Sequence, residues 1–488
     1  MTTLFHPCFE RRMQRTVHSF GFLDCTVRLR RAAPYALVFG YFPKHRIYRR
    51  YGRRLPRSFV PVEPQKALRE VRNNMKYGIK TLDDFDVQGK TVLCRVDVNQ
   101  PVDKQTGELK DTTRIEGCVP TLRELSDKGA KVVVLAHQGG DLEYKNFYTT
   151  QPHSKVLSKL LGRNVEYIDD VCGPYARERI KAMQPGDILM LDNVRIMAEE
   201  LTLFETKLRL PHEEQAKTTV VRKLAPLADL YVCDAFAASH RDQPTLCGFE
   251  YLLPSAMGRL FEKEYEIIST IMSVPERPCM FVLGGAKIED AFLMMETVLS
   301  NDSADMILTG GLVGNVMLAA CGVNIGKASM EFLEKKNLLE LLPEAKRLCE
   351  TYRDKLVLPV DLACVTDGKR KDVPLSGVSD EEVYIDIGKE TAAKYSNTLT
   401  YAQTVFINGP MGVFEDKESE HGTKAVWEAI AHSDAYSVVG GGDSVTATKK
   451  FGLKDEMSYI CTGGGALVRF LSNEELPVIK ALKHGSKL

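Results

Sequence analysis

From Met75 onward the chain alternates short apolar runs with longer stretches whose apolar positions recur at helical spacing. The run TVLCRV predicts a buried strand over 91–96; a polar, glycine-containing loop follows, then a helix over about 114–128 and a strand over 131–136. The cycle repeats with strands at 165–168, 188–191 and 230–233. Pro254 leads into a Glu- and Lys-rich helical stretch over 258–272, after which a second series of strands falls at 279–283, 306–309, 356–360, 404–407, 436–439 and 458–461. Short β-branched or apolar runs separated by amphipathic helices indicate parallel sheets with crossover helices. The expected fold class is therefore α/β, with two doubly wound parallel-sheet domains over 75–255 and 256–470 and a C-terminal tail over 471–488.

Residues 1–74 break this pattern. They are rich in Arg and aromatics, and residues 1–60 hold 13 Lys/Arg against only Glu10 and Asp24. The expectation is an atypical extension, disordered or lying upstream of a true start at Met75, with a transit peptide as the alternative. The whole chain balances 65 basic against 65 acidic residues, so residues 61–488 carry 52 basic and 63 acidic side chains, a net of −11. An acidic main body disfavours a nucleic-acid partner. No apolar run is long enough for a membrane span. The 12 cysteines are scattered without a CxxC or zinc-type spacing, which reads as buried free thiols in a reducing, cytoplasmic setting.

Rossmann-like sheets bind ligands beyond the carboxyl ends of their strands. In the second half these ends carry glycines: Gly284–Gly285, Gly310–Gly311, Gly409, Gly440–Gly442 and Gly463–Gly465. In the first half they carry Asp97 and Asn99, His137, Asn193 and Arg195, Asp234, His240 and Arg241. Glycine turns allow close approach by a nucleotide's phosphates, whereas guanidinium and imidazole groups suit a small anion. The stretch YSVVGGGDS (436–444) is strand, glycine turn and helix start, a layout that offers free N–H groups to an anion. Asp443 there suits a hydrated Mg²⁺. A tight turn that binds nothing is the plain alternative. Asp97 and Asn99 point to a polyol acid or to an Asx turn before Pro101; Arg114 points to a transferring phosphoryl group or to a surface ion pair. His137 suits a site or a structural hydrogen bond. Arg195 and Arg241 repeat the guanidinium theme. Lys287 can reach phosphates, Glu415 a ribose hydroxyl, and the Gly311 turn a base, unless it serves close packing. A two-lobed enzyme moving a phosphoryl group between ligands follows from this asymmetry.

The segments RVDVNQP (95–101), DTTRI (111–115), GAKVVVLAHQGG (129–140), ILMLDNVR (188–195), LYVCDAFAASHR (230–241), LGGAK (283–287), TGGLVGN (309–315), VFINGPMGVFE (405–415), VVGGGDS (438–444) and TGGGA (462–466) resemble, in order, those of the phosphoglycerate kinases, the archaeal branch most. The resemblance implies reversible transfer between ATP and 3-phosphoglycerate, giving ADP and 1,3-bisphosphoglycerate, with Mg²⁺ on the nucleotide. It assigns the acid substrate to Asp97, Asn99, Arg114, His137, Arg195 and Arg241, with Arg114 also at the transition state. It assigns the nucleotide to Lys287, Gly311, Asn408, Glu415, Gly441, Gly442, Asp443 and Ser444, with Asp443 the metal-nucleotide carboxylate and Lys287 catalytic. It further implies a hinge helix after Pro254, a tail that packs back on the first domain, and a monomer or small homo-oligomer. Departures are Gly140 where many members carry Arg, Ala291 where many carry a second Lys, Leu467 for Ser, and Ser444 for Thr. A related carboxylate kinase with an altered acid, and a silent nucleotide-binding protein, are the competing readings.

Overall fold

The strand β1 (Thr91–Arg95) is buried at every residue. Continuous burial, rather than alternation, is what a central parallel strand covered on both faces requires. In the computed structural model, which describes residues 78–103, 105–139, 148–201 and 204–488, β1 pairs in parallel with β2 (Lys131–Leu135) on one side and β5 (Leu230–Cys233) on the other. With β3 (Val165–Ile168), β4 (Ile188–Leu191) and β6 (Ser255–Met257) they form a six-stranded sheet in the order β3-β4-β2-β1-β5-β6. Helices α1 (Thr113–Asp127), α2 (Gln151–Leu161) and α3 (Pro174–Ala182) connect the strands. The Arg-rich extension over 1–74 and Gly140 lie outside the described residues.

The helix α4 (Arg259–Ser273) runs from this sheet to the next. The Asp234 carboxylate, just past β5, accepts the N–H groups of Leu260 and Phe261 at 2.9 and 3.2 Å and so caps the start of α4. Arg259 adds ion pairs to Glu124 of α1 at 2.7 Å and to Asp83 at 2.6 Å. Farther along α4, buried Glu264 accepts the Thr462 N–H at 2.7 Å and hydroxyl at 2.6 Å. One helix is thus bonded to both halves.

The second sheet takes the order β15-β14-β13-β7-β8-β9. Its strands are β7 (Cys279–Leu283), β8 (Met306–Thr309), β9 (Leu356–Val357), β13 (Thr404–Asn408), β14 (Tyr436–Gly440) and β15 (Tyr459–Ile460), all paired in parallel. Its helices are α5 (Ile288–Ser300), α6 (Gly311–Ala320), α7 (Lys327–Lys335), α8 (Leu342–Thr351), α9 (Lys389–Leu399), α10 (His421–Ala431), α11 (Gly442–Lys450) and α12 (Gly464–Leu471). The strand expected over 356–360 is only Leu356–Val357, because the chain leaves it for a three-stranded antiparallel sheet of β10 (Asp361–Thr366), β11 (Lys369–Pro374) and β12 (Asp386–Ile387).

The last helix, α13 (Pro477–Gly485), lies against the first half. The His484 ring stacks on Tyr251 with centroids 3.9 Å apart, and the Val478 N–H donates to the Ser239 carbonyl at 3.3 Å. The ten described cysteines are all free thiols, eight of them buried. No described helix is long and apolar enough to cross a membrane.

Candidate active site

Each six-stranded sheet reverses its winding once, between β1 and β5 in the first and between β7 and β13 in the second. A crevice opens at the carboxyl ends of the strands flanking such a reversal. Most of the candidate side chains stand at these crevices.

In the first half, Asp97 follows β1 and is almost wholly buried. Its Oδ2 pairs with the Arg114 guanidinium at 2.7 Å, and its Oδ1 accepts the Asn99 N–H at 3.0 Å. Arg114 stands in the first turn of α1, about a third of its side chain exposed. The Asn99 side-chain oxygen accepts the Gly139 N–H at 3.0 Å, and the Arg195 guanidinium donates to the Gly139 carbonyl at 2.6 Å. The loop after β2 is therefore held from two sides. His137, at its start, is buried and shares a 3.1 Å contact through Nδ1 with Arg95. Burial, reinforced by Arg195, Arg95, Arg241 and Arg114, pushes the His137 pKa well below the usual imidazole value, so the ring is neutral. Arg241 faces Glu205 at 3.3 Å.

In the second half one cavity is lined by Gly284–Lys287, Asp290, Asn408, Gly409, Gly441–Ser444 and Gly464–Gly465. Lys287 directly precedes α5, makes no capping bond with its side chain, and is exposed to solvent. Gly441 has φ +81°, and a Cβ there would lie 2.5 Å from the Asn408 side-chain oxygen, so only glycine fits the turn. Ser444 is buried, and its hydroxyl accepts the Gly409 N–H at 2.7 Å, joining the turn to the end of β13. Asp443, in the first turn of α11, is exposed. With Asp290 it supplies carboxylate oxygens on a wall that also carries Lys287, a donor set that fits a hydrated hard cation arriving on phosphates.

Two candidates stand apart from that wall. Gly311 opens α6 with φ +56°, and a Cβ there would lie 2.8 Å from the Gly285 nitrogen, so its contact is close backbone packing behind the cavity. Glu415 is exposed, its carbonyl accepting from Lys450 at 3.0 Å.

The two crevices adjoin. A Cβ at Gly465 would lie 3.7 Å from the His240 ring, next to Arg241, and one at Gly463 would meet the Phe236 ring at 2.9 Å. Lys449 of α11 also reaches Asp111 and Thr113 ahead of α1, at 3.2 and 3.3 Å.

Sequence reasoning missed the layer beneath the arginines. Arg95 is fully buried, bonded through Nε to the Thr245 hydroxyl at 3.1 Å as well as to His137. Glu200, also fully buried, accepts from that same hydroxyl at 2.9 Å. Burial pushes its carboxyl up to about 7, against the pull of Arg95, Thr245 and Arg195. Arg95 opens a motif already singled out; nothing around Glu200 in AEELTLF marks it.

A family model of phosphoglycerate kinase matches residues 82–474. A phosphoglycerate kinase of Methanothermobacter thermautotrophicus is 44% identical over 409 residues, covering 84% of this chain and 98% of its own. One of Thermococcus kodakarensis is also 44% identical, over 82% of this chain and 96% of its own. The crystal structure of phosphoglycerate kinase from Pyrococcus horikoshii OT3 superposes with a TM-score of 0.75 at 41% identity, over 84% of this chain and 100% of that one. The Coxiella burnetii phosphoglycerate kinase structure gives 0.69 at 31%, over 83% and 98%. With paired doubly wound sheets, an arginine-lined crevice adjoining a glycine-lined one, and this identity along the described chain, the protein belongs to the phosphoglycerate kinase family.

Proposed function

We propose that the chain transfers a phosphoryl group reversibly between ATP and 3-phosphoglycerate, with the acid held by the first half and the nucleotide by the second. The observation that carries this division is the meeting of the cavity wall at Gly465 with His240, beside Arg241. Arg195 and Arg241 neutralise the acid's phosphate, and neutral His137 donates or accepts a hydrogen bond without adding charge. Asp97 and Asn99 orient the hydroxyl. In the forward step a carboxylate oxygen of the acid attacks the γ-phosphorus as the bond to the ADP oxygen breaks, and no proton changes hands. The chemistry therefore needs alignment and charge stabilisation rather than a protein nucleophile. Arg114, whose guanidinium reaches the crevice rim, stabilises the equatorial oxygens of the transferring group. Lys287 steadies the phosphates from the other side, and the N–H groups of the 441–444 turn receive them. Asp443 would hold Mg²⁺, which when bound neutralises phosphate charge. Closure about α4 excludes water from the acyl phosphate. The reading includes a cytoplasmic location, supported by the free thiols.

The test is a coupled assay of the full chain with Mg·ATP and 3-phosphoglycerate beside other phosphorylated acids. Turnover selective for 3-phosphoglycerate is expected. Equal or better turnover of another acid overturns the substrate assignment, and ATP binding with no turnover of any acid overturns the catalytic one.

A further inference from the structure

The helix α6 ends at Cys321, whose backbone N–H donates to the Met317 carbonyl at 3.1 Å. The Cys349 thiol, from α8, reaches that same carbonyl oxygen at 3.9 Å. One carbonyl thus brings the two cysteines together from helices that pack side by side. Both line an open surface cavity with Lys346, Glu350 and Arg353. Cys321 is exposed and Cys349 half-buried, whereas the eight other described cysteines are buried. The pair plays no part in the phosphoryl-transfer site, and its chemistry is independent of that reading.

We propose that Cys321 and Cys349 form a modification site, a surface dithiol that hydroperoxides oxidise to an intramolecular disulfide joining the end of α6 to α8. The exposed Cys321 thiolate attacks the peroxide O–O bond, giving a sulfenic acid and, with one proton, water. The Cys349 sulfur then attacks the sulfenic sulfur, forming the S–S bond and releasing a second water with the remaining protons. Two thiols and one hydrogen peroxide give one disulfide and two waters. The order follows from the surroundings. Burial, with the Cys321 thiol alongside, pushes the Cys349 thiol up to about 12, so it is not the group that reacts with peroxide first, and it gives up its proton as it attacks the sulfenic sulfur. Cys321 is the exposed thiol of the pair and so is the one a hydroperoxide reaches first.

The experiment treats the full chain, with Cys8 and Cys25 replaced by Ser, with stoichiometric hydrogen peroxide, followed by alkylation and peptide mass mapping. The expected result is a peptide linked through Cys321 and Cys349 that a dithiol reductant reverses. Cys349→Ser is expected to leave Cys321 as a sulfenic acid that a cyclic dione traps. A wild-type Cys321 that stops at the trapped sulfenic acid, a link to any other cysteine, or a pair that stays fully alkylatable while other thiols oxidise overturns the proposal.

Discussion

Lys449 and Asp111 form an ion pair between the two halves, Nζ to Oδ2 at 3.2 Å. Lys449 closes the helix that starts at the glycine turn, and Asp111 precedes the helix that presents Arg114. Partial burial pushes the Asp111 carboxyl up, but the Thr113 hydroxyl and amide and the Lys449 ammonium outweigh it and hold it at about 2. The pair therefore persists at all working pH values and is lost only as pH falls toward 2. Both partners are well exposed, so solvent and salt reduce its contribution to less than about 1 kcal/mol. Lys449→Ala is expected to leave the melting temperature nearly unchanged and to alter kcat/KM less than about fivefold, an effect that vanishes at high salt. A double-mutant cycle with Asp111→Asn measures it. Coupling well beyond that limit would show that the contact governs the working geometry.

In the proposed mechanism Arg114 serves both the transferring group and the fold, because its guanidinium pairs with the almost wholly buried Asp97. Arg114→Ala removes the charge proposed for the transition state and takes the guanidinium partner from Asp97. Turnover is expected to fall by about a hundredfold or more while the acid's KM changes far less. Arg114→Lys keeps the ion pair but not the fork of donors, and is expected to fold like the wild type with turnover still low. Steady-state kinetics and thermal melts on both variants separate the roles. A rise in KM at unchanged kcat would make Arg114 a simple binding group.

Neighbouring glycines are expected to respond differently to the same added methyl. At Gly441 the φ of +81° and the Asn408 oxygen 2.5 Å away both oppose a Cβ. Gly441→Ala is expected to cost about 1–3 kcal/mol of stability. At Gly442 a Cβ meets nothing within 4 Å, and the residue is helical. Gly442→Ala is expected to leave stability unchanged or slightly higher, while nucleotide binding weakens about tenfold, about 1.4 kcal/mol, because in the proposed mode phosphates approach the bare backbone there. Calorimetric titration with Mg·ADP checks it. Unaltered affinity would mean that the phosphates lie elsewhere.

The central strands were legible because their apolar runs are short, continuous and bounded by polar or glycine turns. Strands at 165–168, 188–191, 230–233, 279–283 and 306–309 match the structure residue for residue. Edge pieces were not. Ser255–Met257 is too brief to show a period. The hairpin of β10 and β11 is masked by Lys369, Arg370 and Lys371, which give it a loop-like composition, although Asp367-Gly368, both at positive φ, is a two-residue hairpin turn with a clear signature. In the site, residues that end strands announced themselves by position. Glu200 and the Arg95–Thr245 link did not, since burial that joins residues 150 apart has no local trace.

A buried carboxyl at the end of β5 shapes the response to pH. Burial pushes the Asp234 carboxyl up to about 7, against the Thr121 hydroxyl and the Phe261 and Leu260 amides. Its unfolded value is about 3.9. A carboxyl raised in this way adds stability in full below the unfolded value and loses it as pH rises through about 7. His153 and His240, lowered by burial to about 4, act oppositely, since only the unfolded chain protonates them between about 6.5 and 4. Glu200 and Asp386, raised by burial to about 7 and about 6, add to Asp234, so the buried carboxyls and the buried histidines oppose each other in the wild-type profile. Asp234→Asn keeps an oxygen to cap α4 but cannot take up the proton. Its melting temperature is expected to fall further behind the wild type at each step from pH 8 to pH 5, because it lacks the proton that Asp234 takes up in the fold. Melting curves in buffers of low ionisation enthalpy measure the gap. Parallel profiles for the two proteins would mean that Asp234 remains ionised in the fold, and that its charge is stabilised by the α4 amides to a degree that outweighs its burial.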